Sequence, residues 1–348
     1  MTAHFRSKAL PGKLKIGSIT LFLLLLFVFV TLALLFPPYE PLAPTGPYAV
    51  TTARYTYTDE NRIETFAGSG QQRQVNATVW HPQPGSNEET FPLVLFSHGG
   101  LGLETSNESL YLELASHGYV VAAIGHPYHA LWTRDINGRI TFVNRDYFQS
   151  LQREDARGDR QQSFAYYQEW MTVRTGDINL VLDSILQPAG NGAAGIYGLV
   201  DVTRIGVMGH SLGGAAALAL PRQRDDIAAV IALESPFLYD IVGVADGEFV
   251  WLEATYPTPV LNIYSDSAWE HLHEWPQYGR NATLLTEPPP TVYNLHLSGA
   301  GHFSLTDLAL VSPRLVRFLE GEPPSRESDD YLRAVNQACL AFFDRYLK

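Results

Sequence analysis

With a single cysteine, Cys339, the chain of 348 residues cannot close an internal disulfide, so packing has to hold its fold. Cys339 falls on the apolar face of the last helical pattern and reads as a core residue. Basic residues are also scarce: 24 Lys and Arg face 36 Asp and Glu, a net charge of −12. Four of these cations, Arg6, Lys8, Lys13 and Lys15, stand in the first 15 residues; without them 20 face 36, a net of −16. That deficit argues against a nucleic-acid partner and against charge-driven adhesion to anionic lipid. No internal repeat is visible, which removes solenoids and propellers. Histidine clusters with metal spacing are missing as well. His271 and His273, two apart in "EHLHEW", suit zinc poorly on a helix and read as surface residues. Neither a metal nor an organic cofactor is expected.

What the chain does have is apolar length, 46% of it being hydrophobic. Residues 16–36, "IGSITLFLLLLFVFVTLALLF", carry no charge and suffice to span a bilayer as a helix. The cations before this run predict a cytoplasmic segment over 1–15 and an extracytoplasmic remainder. A cleaved signal peptide has a shorter apolar region, about 7 to 15 residues, and a small-residue cleavage site. The expectation is therefore an uncleaved anchor, a stiff proline-rich spacer over 37–47 and one catalytic domain over 48–348.

Within that domain, "FPLVLFSHGG" and "YVVAAIGHP" are unbroken apolar runs, as strands buried on both faces of a parallel sheet should be. "RIGVMGH", "IAAVIALE", "PTPVLNIYSD" and "PTVYNLHLSGAGH" read likewise, with helical patterns between them. The alternation predicts an α/β fold with a mostly parallel sheet, whose functional groups gather beyond the carboxyl ends of the strands. Two insertions leave from those ends and could roof a site. Residues 128–161 hold a hairpin signal at Asn137-Gly138, and 235–258 are rich in aromatics.

"GHSLGG", residues 209–214, places Ser211 between a strand and a helix, the context of a nucleophile elbow. A serine hydroxyl needs a base that is itself oriented by a third group. Of the four later histidines, His296 sits inside a strand and His271 and His273 read as surface, which leaves His302 in the loop "SGAGHFSLTD" as the base. A flexible loop there can swing the imidazole over the elbow. Two carboxylates end apolar strands after Ser211, Glu234 and Asp266, and either could hold the imidazole. The oxyanion donors are expected to be the N–H groups of Leu212 and Gly100. His98 precedes the serine and reads as a brace for the Gly100 loop.

The stretches "FSHGGLG", "LASHGYVVAAIGHPYHA", "RIGVMGHSLGGAAALAL", "IALESP", "PVLNIYSD" and "SGAGHFSLTD" resemble, in order and spacing, the platelet-activating factor acetylhydrolase branch of α/β-hydrolases. The resemblance runs from about residue 90 to the C-terminus. It implies an α/β-hydrolase fold and calcium-independent hydrolysis of short or oxidised acyl groups from phospholipids. It also implies Ser211, His302 and Glu234 as the triad. That branch typically has aspartate where Glu234 stands, so the extra methylene would need the loop to retreat slightly, and Asp266 stays the alternative acid. A general carboxylesterase, lipase or polyester hydrolase is the second expectation. A catalytically inactive scaffold presented outside the cell is the rival from another class, and the full set of triad groups speaks against it.

Overall fold

The computed structural model describes residues 12–86, 89–192, 194–321 and 327–348, with side chains described from residue 19 onward. The sheet-forming strands are β1 Val50–Ile63, β2 Gln72–Pro82, β3 Phe91–Ser97 and β4 Val120–Ile124. Two short hairpin strands follow, β5 Trp132–Arg134 and β6 Ile140–Phe142, then β7 Val200–His210 and β8 Ile227–Leu233. A second hairpin is made by β9 Ile241–Ala245 and β10 Glu248–Trp251, before β11 Val260–Ser265 and β12 Val292–Leu297. The helices are α1 Gly12–Leu35, α2 Glu108–Ser116, α3 Arg145–Arg153, α4 Arg160–Gly190, α5 Leu212–Ala219, α6 Asp266–Trp269, α7 Gly279–Thr286, α8 Leu308–Val311, α9 Pro313–Glu320 and α10 Ser328–Leu347.

Eight strands form one sheet in the order β1-β2-β4-β3-β7-β8-β11-β12. Only β2 runs against its neighbours; from β4 onward the pairs are parallel. The unbroken apolar runs are explained by burial on both sides. Leu93 and Leu95 of β3 pack with α4 and α5, whereas Val94 and Phe96 pack with α2 and α10. Cys339 lies in that second layer, fully buried, as its position in the sequence suggests.

Pairing aligns the strand ends. Ser97 faces Gly209, His210 faces Leu233, and Leu233 faces Ile263. The residues that follow, His98, Ser211 and Glu234, therefore emerge at one edge. The hairpin expected around Asn137-Gly138 forms between β5 and β6, with Gly138 in the left-handed region at φ 86°.

The N-terminal expectations fare differently. Residues 1–11 and the side chains of 12–18 lie outside the described residues, and with them most of the expected cytoplasmic segment 1–15 and the first side chains of the expected anchor 16–36. From Ile19 the apolar side chains of α1 are mostly exposed. Among the described residues no helix is long and apolar enough to cross a membrane. The proline-rich stretch over 37–47, expected as a stiff spacer, is strapped onto the domain from Tyr39. Leu42 N–H donates to Ser109 Oγ (2.9 Å), Thr45 N–H to Glu113 Oε2 (2.8 Å) and Gly46 N–H to Ser116 Oγ (3.0 Å). Tyr39 O–H donates to Asp307 (2.9 Å). The polar face of α2 gives this backbone the partners that water would give an extended linker.

Candidate active site

Ser211 adopts φ 53° and ψ −125°, a strained conformation for a residue with a Cβ, costing about 1–3 kcal/mol. Three glycines make the turn possible. A Cβ on Gly209 would overlap the Gly213 backbone, one on Gly213 the Ser97 carbonyl, and one on Gly214 the Ser235 hydroxyl. The bend is pinned by Ser211 N–H donating to Leu233 O (2.8 Å), which ties elbow and strand β8 together.

Glu234, one residue beyond β8, also has positive φ, 49°. Its Oε1 accepts from His302 Nδ1–H at 2.6 Å. Its Oε2 accepts from Ser265 N–H at 2.7 Å and from the Ser265 hydroxyl. Burial alone would push this carboxyl up. The His302 charge and hydrogen bond, with the two Ser265 donors, hold it below its ordinary value. Burial likewise works against the His302 imidazolium, but the Glu234 carboxylate outweighs it and holds the ring above its ordinary 6.5. Because a carboxylate can only accept, Nδ1 carries the proton, which leaves Nε2 as the basic nitrogen.

The loop carrying His302 is tied rather than free to swing. His302 N–H donates to Ser267 Oγ (3.1 Å), Phe303 N–H to Glu320 Oε1 (2.6 Å), and His302 O accepts from His210 Nε2 (3.1 Å). Asp266, the alternative acid, points elsewhere. Its Oδ1 accepts from His296 Nε2 (2.6 Å) and its Oδ2 from Gly299 N–H (2.8 Å). His296 in turn stacks on Trp269, with ring centroids 4.4 Å apart.

A cavity of about 370 Å³ opens beside these groups, and Gly100, Ser211, Leu212, Glu234 and His302 all line it. Insertion 128–161 contributes Leu151 and Glu154, and insertion 235–258 contributes Pro236 and Leu238. The aromatics of that second insertion do not form the wall: Phe237 and Phe249 are buried in the core. The ring wall comes from Tyr167 and Trp170 of α4 and from Trp275 and Tyr278. None of these four stood out in the sequence. Trp275 closes, and Tyr278 follows, the segment "EHLHEW" that reads as amphipathic surface, where His271 is indeed half exposed.

His98 is a brace: its two ring nitrogens lie against the Gly99 and Gly125 carbonyls at 2.7 and 3.0 Å. A second chain with triad connectivity, Ser97 Oγ to His126 Nε2 (2.9 Å) and His126 Nδ1 to Asp177 Oδ2 (3.1 Å), lies behind it. All three residues are buried, and burial with the nearby Arg174 charge lowers His126 to about 4. Asp177 is also held by Arg73 at 2.6 Å, so this second chain is closed inside the domain, where it supports the loop.

A family model described as "Platelet-activating factor acetylhydrolase, isoform II" matches residues 61–348. Cutinase est2 of Thermobifida alba is 27% identical over 263 residues, 75% of this chain and 65% of that protein. Platelet-activating factor acetylhydrolase of Gallus gallus is 25% identical over 289 residues, 74% of this chain and 63% of that protein. The match thus spans less than two thirds of either relative. A solved ferulic acid esterase from Streptomyces cinnamoneus superposes with a TM-score of 0.64, at 23% identity, over 89% of this chain and 93% of that one, a likeness of fold.

Proposed function

The chain belongs to the platelet-activating factor acetylhydrolase isoform II family of α/β-hydrolases, and from that premise we propose that it is a serine carboxylic-ester hydrolase working through an acyl-enzyme at Ser211. The observation that carries this reading is the 2.6 Å contact of His302 with buried Glu234, beside a strained serine on the wall of the same cavity. Ser211 Oγ attacks the ester carbonyl while His302 Nε2 takes its proton. The N–H groups of Gly100 and Leu212 hold the oxyanion. His302 returns the proton to the leaving alcohol, and water, activated in the same way, releases the acid. Glu234 fixes the tautomer and stabilises the imidazolium.

As substrate we propose phospholipids with a short or oxidised acyl group. An aromatic-walled cavity of this volume suits a short acyl chain. Its lining has two carboxylates and no Lys or Arg, so an anionic phosphate would rest outside it while the acyl group enters. The cutinase relatives favour a second reading, a less selective carboxylesterase. A hydrolysis panel crossing acyl length with leaving group decides: a preference for acetyl over long acyl on a glycerophospholipid supports the first, equal turnover of simple esters the second. Fluorophosphonate labelling of Ser211 tests both.

The same reading keeps the enzyme on a membrane through residues 16–36, with the domain extracytoplasmic. The uncharged run and the preceding cations support it. Recovery of the full chain in a salt-washed membrane pellet is expected, and recovery only in the soluble fraction would overturn the assignment.

A further inference from the structure

Arg174, on α4, is fully buried, and among the described residues no carboxylate pairs with it. The nearest acid along the helix, Asp177, is given to Arg73, Arg62 and His126. Burying an unpaired guanidinium is costly and persists only where fixed dipoles replace water. Here those dipoles come from the loop after β3 and its neighbours. Arg174 Nη1–H donates to His98 O, and Nη2–H donates to Gly99 O at 3.1 Å. Longer contacts reach the Tyr147 hydroxyl (3.3 Å), Ser97 Oγ and His129 O (both 3.5 Å). Tyr147 O–H in turn donates to Gly100 O at 2.7 Å. Both peptides that flank Gly100 are therefore gripped by their carbonyls.

The Gly99 carbonyl and the Gly100 N–H belong to one planar trans peptide and point in opposite directions. A cation bound to that carbonyl fixes the direction of the N–H and, by drawing electron density toward oxygen, makes it a stronger donor. Gly100 lines the cavity beside Ser211. We propose that Arg174, assisted by Tyr147, is a positioning residue for the oxyanion site, holding and polarising the Gly100 N–H from behind. The assignment rests on Ser211 being the nucleophile. Arg174 itself touches no substrate. Its effect should appear where negative charge develops on the carbonyl oxygen and be absent from ground-state binding.

The test compares the full-length wild type with Arg174→Gln, Arg174→Lys and Tyr147→Phe. Each is measured for kcat and KM on p-nitrophenyl acetate, for Ki of a trifluoromethyl ketone, which forms a hemiketal oxyanion, and for active sites titrated with a fluorophosphonate. Per titrated site, Arg174→Gln is expected to lose about tenfold to a hundredfold in kcat with KM within threefold. Its ketone Ki should rise in parallel. Arg174→Lys keeps the charge but cannot span two carbonyls, and should fall between. Tyr147→Phe should lose about fivefold, again in kcat and ketone affinity together. A purely structural role would lower the number of titrated sites and leave kcat per site and Ki unchanged, which overturns the assignment. If neither Arg174 variant folds, Tyr147→Phe decides alone by the same two readouts. Absence of label on wild-type Ser211 would overturn the nucleophile reading and this one with it. A labelled wild type with an unaffected Arg174→Gln overturns this one only.

Discussion

His302 Nδ1 stands 2.6 Å from Glu234 Oε1, and His296 Nε2 stands the same distance from Asp266 Oδ1. Two histidine–carboxylate pairs of equal length thus close neighbouring strand ends, and only the first borders the cavity. Asp266 opens α6 and its second oxygen is taken by the Gly299 amide, which turns it toward β12 and away from the elbow. Glu234 drops its second oxygen onto Ser265 at the end of β11 and keeps the first for His302.

The two acids should therefore separate in turnover. Glu234→Gln is expected to lose about 10⁴ in kcat, the cost of removing a triad carboxylate. Asp266→Asn should lose tenfold or less. The ratio of the two turnover numbers at one pH, with folding checked by circular dichroism, is the measurement. A dead Asp266→Asn beside a nearly normal Glu234→Gln would reverse the assignment.

Ser211→Ala should abolish hydrolysis, by roughly a million-fold, because triad members act as a unit. It should also melt no lower than wild type, since Ala at a positive φ bears a strain similar to that of Ser. Activity within tenfold of wild type would show that the chemistry lies elsewhere.

The pH profile carries a sign. The Glu234 carboxylate holds His302 above 6.5, so the ring takes up its proton sooner as pH falls, and a protonated base cannot accept another. The acid limb of kcat/KM should therefore lie above pH 6.5. In Glu234→Gln the burial remains and only the weaker pull of Glu320 is left, which should move the limb of the residual activity to lower pH. An unchanged limb would mean that a different group titrates.

Asp307 gives a stability test away from the chemistry. Burial raises its carboxyl to about 6, although Ser109 N–H and Tyr39 O–H partly offset this. The folded state then binds the proton more tightly than the unfolded chain, whose value is 3.8. Wild-type stability relative to Asp307→Asn should rise as pH falls from 7.5 to 5, by about 1 kcal/mol. Urea denaturation of both proteins at the two pH values measures it, and a constant difference would refute the shift.

The mostly parallel sheet, the elbow and the choice of His302 were legible because each rests on local signals: unbroken apolar runs, glycines around a serine, a histidine past the last strand. The acid was not legible from such signals, because Glu234 and Asp266 end equally apolar strands; the family resemblance pointed to Glu234, and in the structure the packing of α6 and the Gly299 loop turns Asp266 away. Arg174 was invisible for a related reason. An arginine between Val173 and Thr175 on a long helix reads as solvated, and nothing local shows that it ends beneath the Gly99 carbonyl. The proline-rich stretch misled through composition. Its prolines do favour an extended backbone, but Ser109, Glu113 and Ser116 on α2 supply partners that hold it down.

That strap leaves little slack between α1 and the catalytic domain. Ser312 Oγ–H and Arg314 Nη1–H donate to the carbonyls of Leu35 and Leu34 at the end of α1, at 2.5 and 2.7 Å, and the next fastening, Tyr39, comes four residues after Leu35. A leash of loose chain would let the domain tumble and meet substrate from any side. A mount so short gives the cavity mouth one bearing relative to the end of α1. It also moves the sensible place to shorten the molecule. A chain begun at residue 48 would strip the cover from α2 and take the phenol from Asp307, whereas one begun at 37 would keep both.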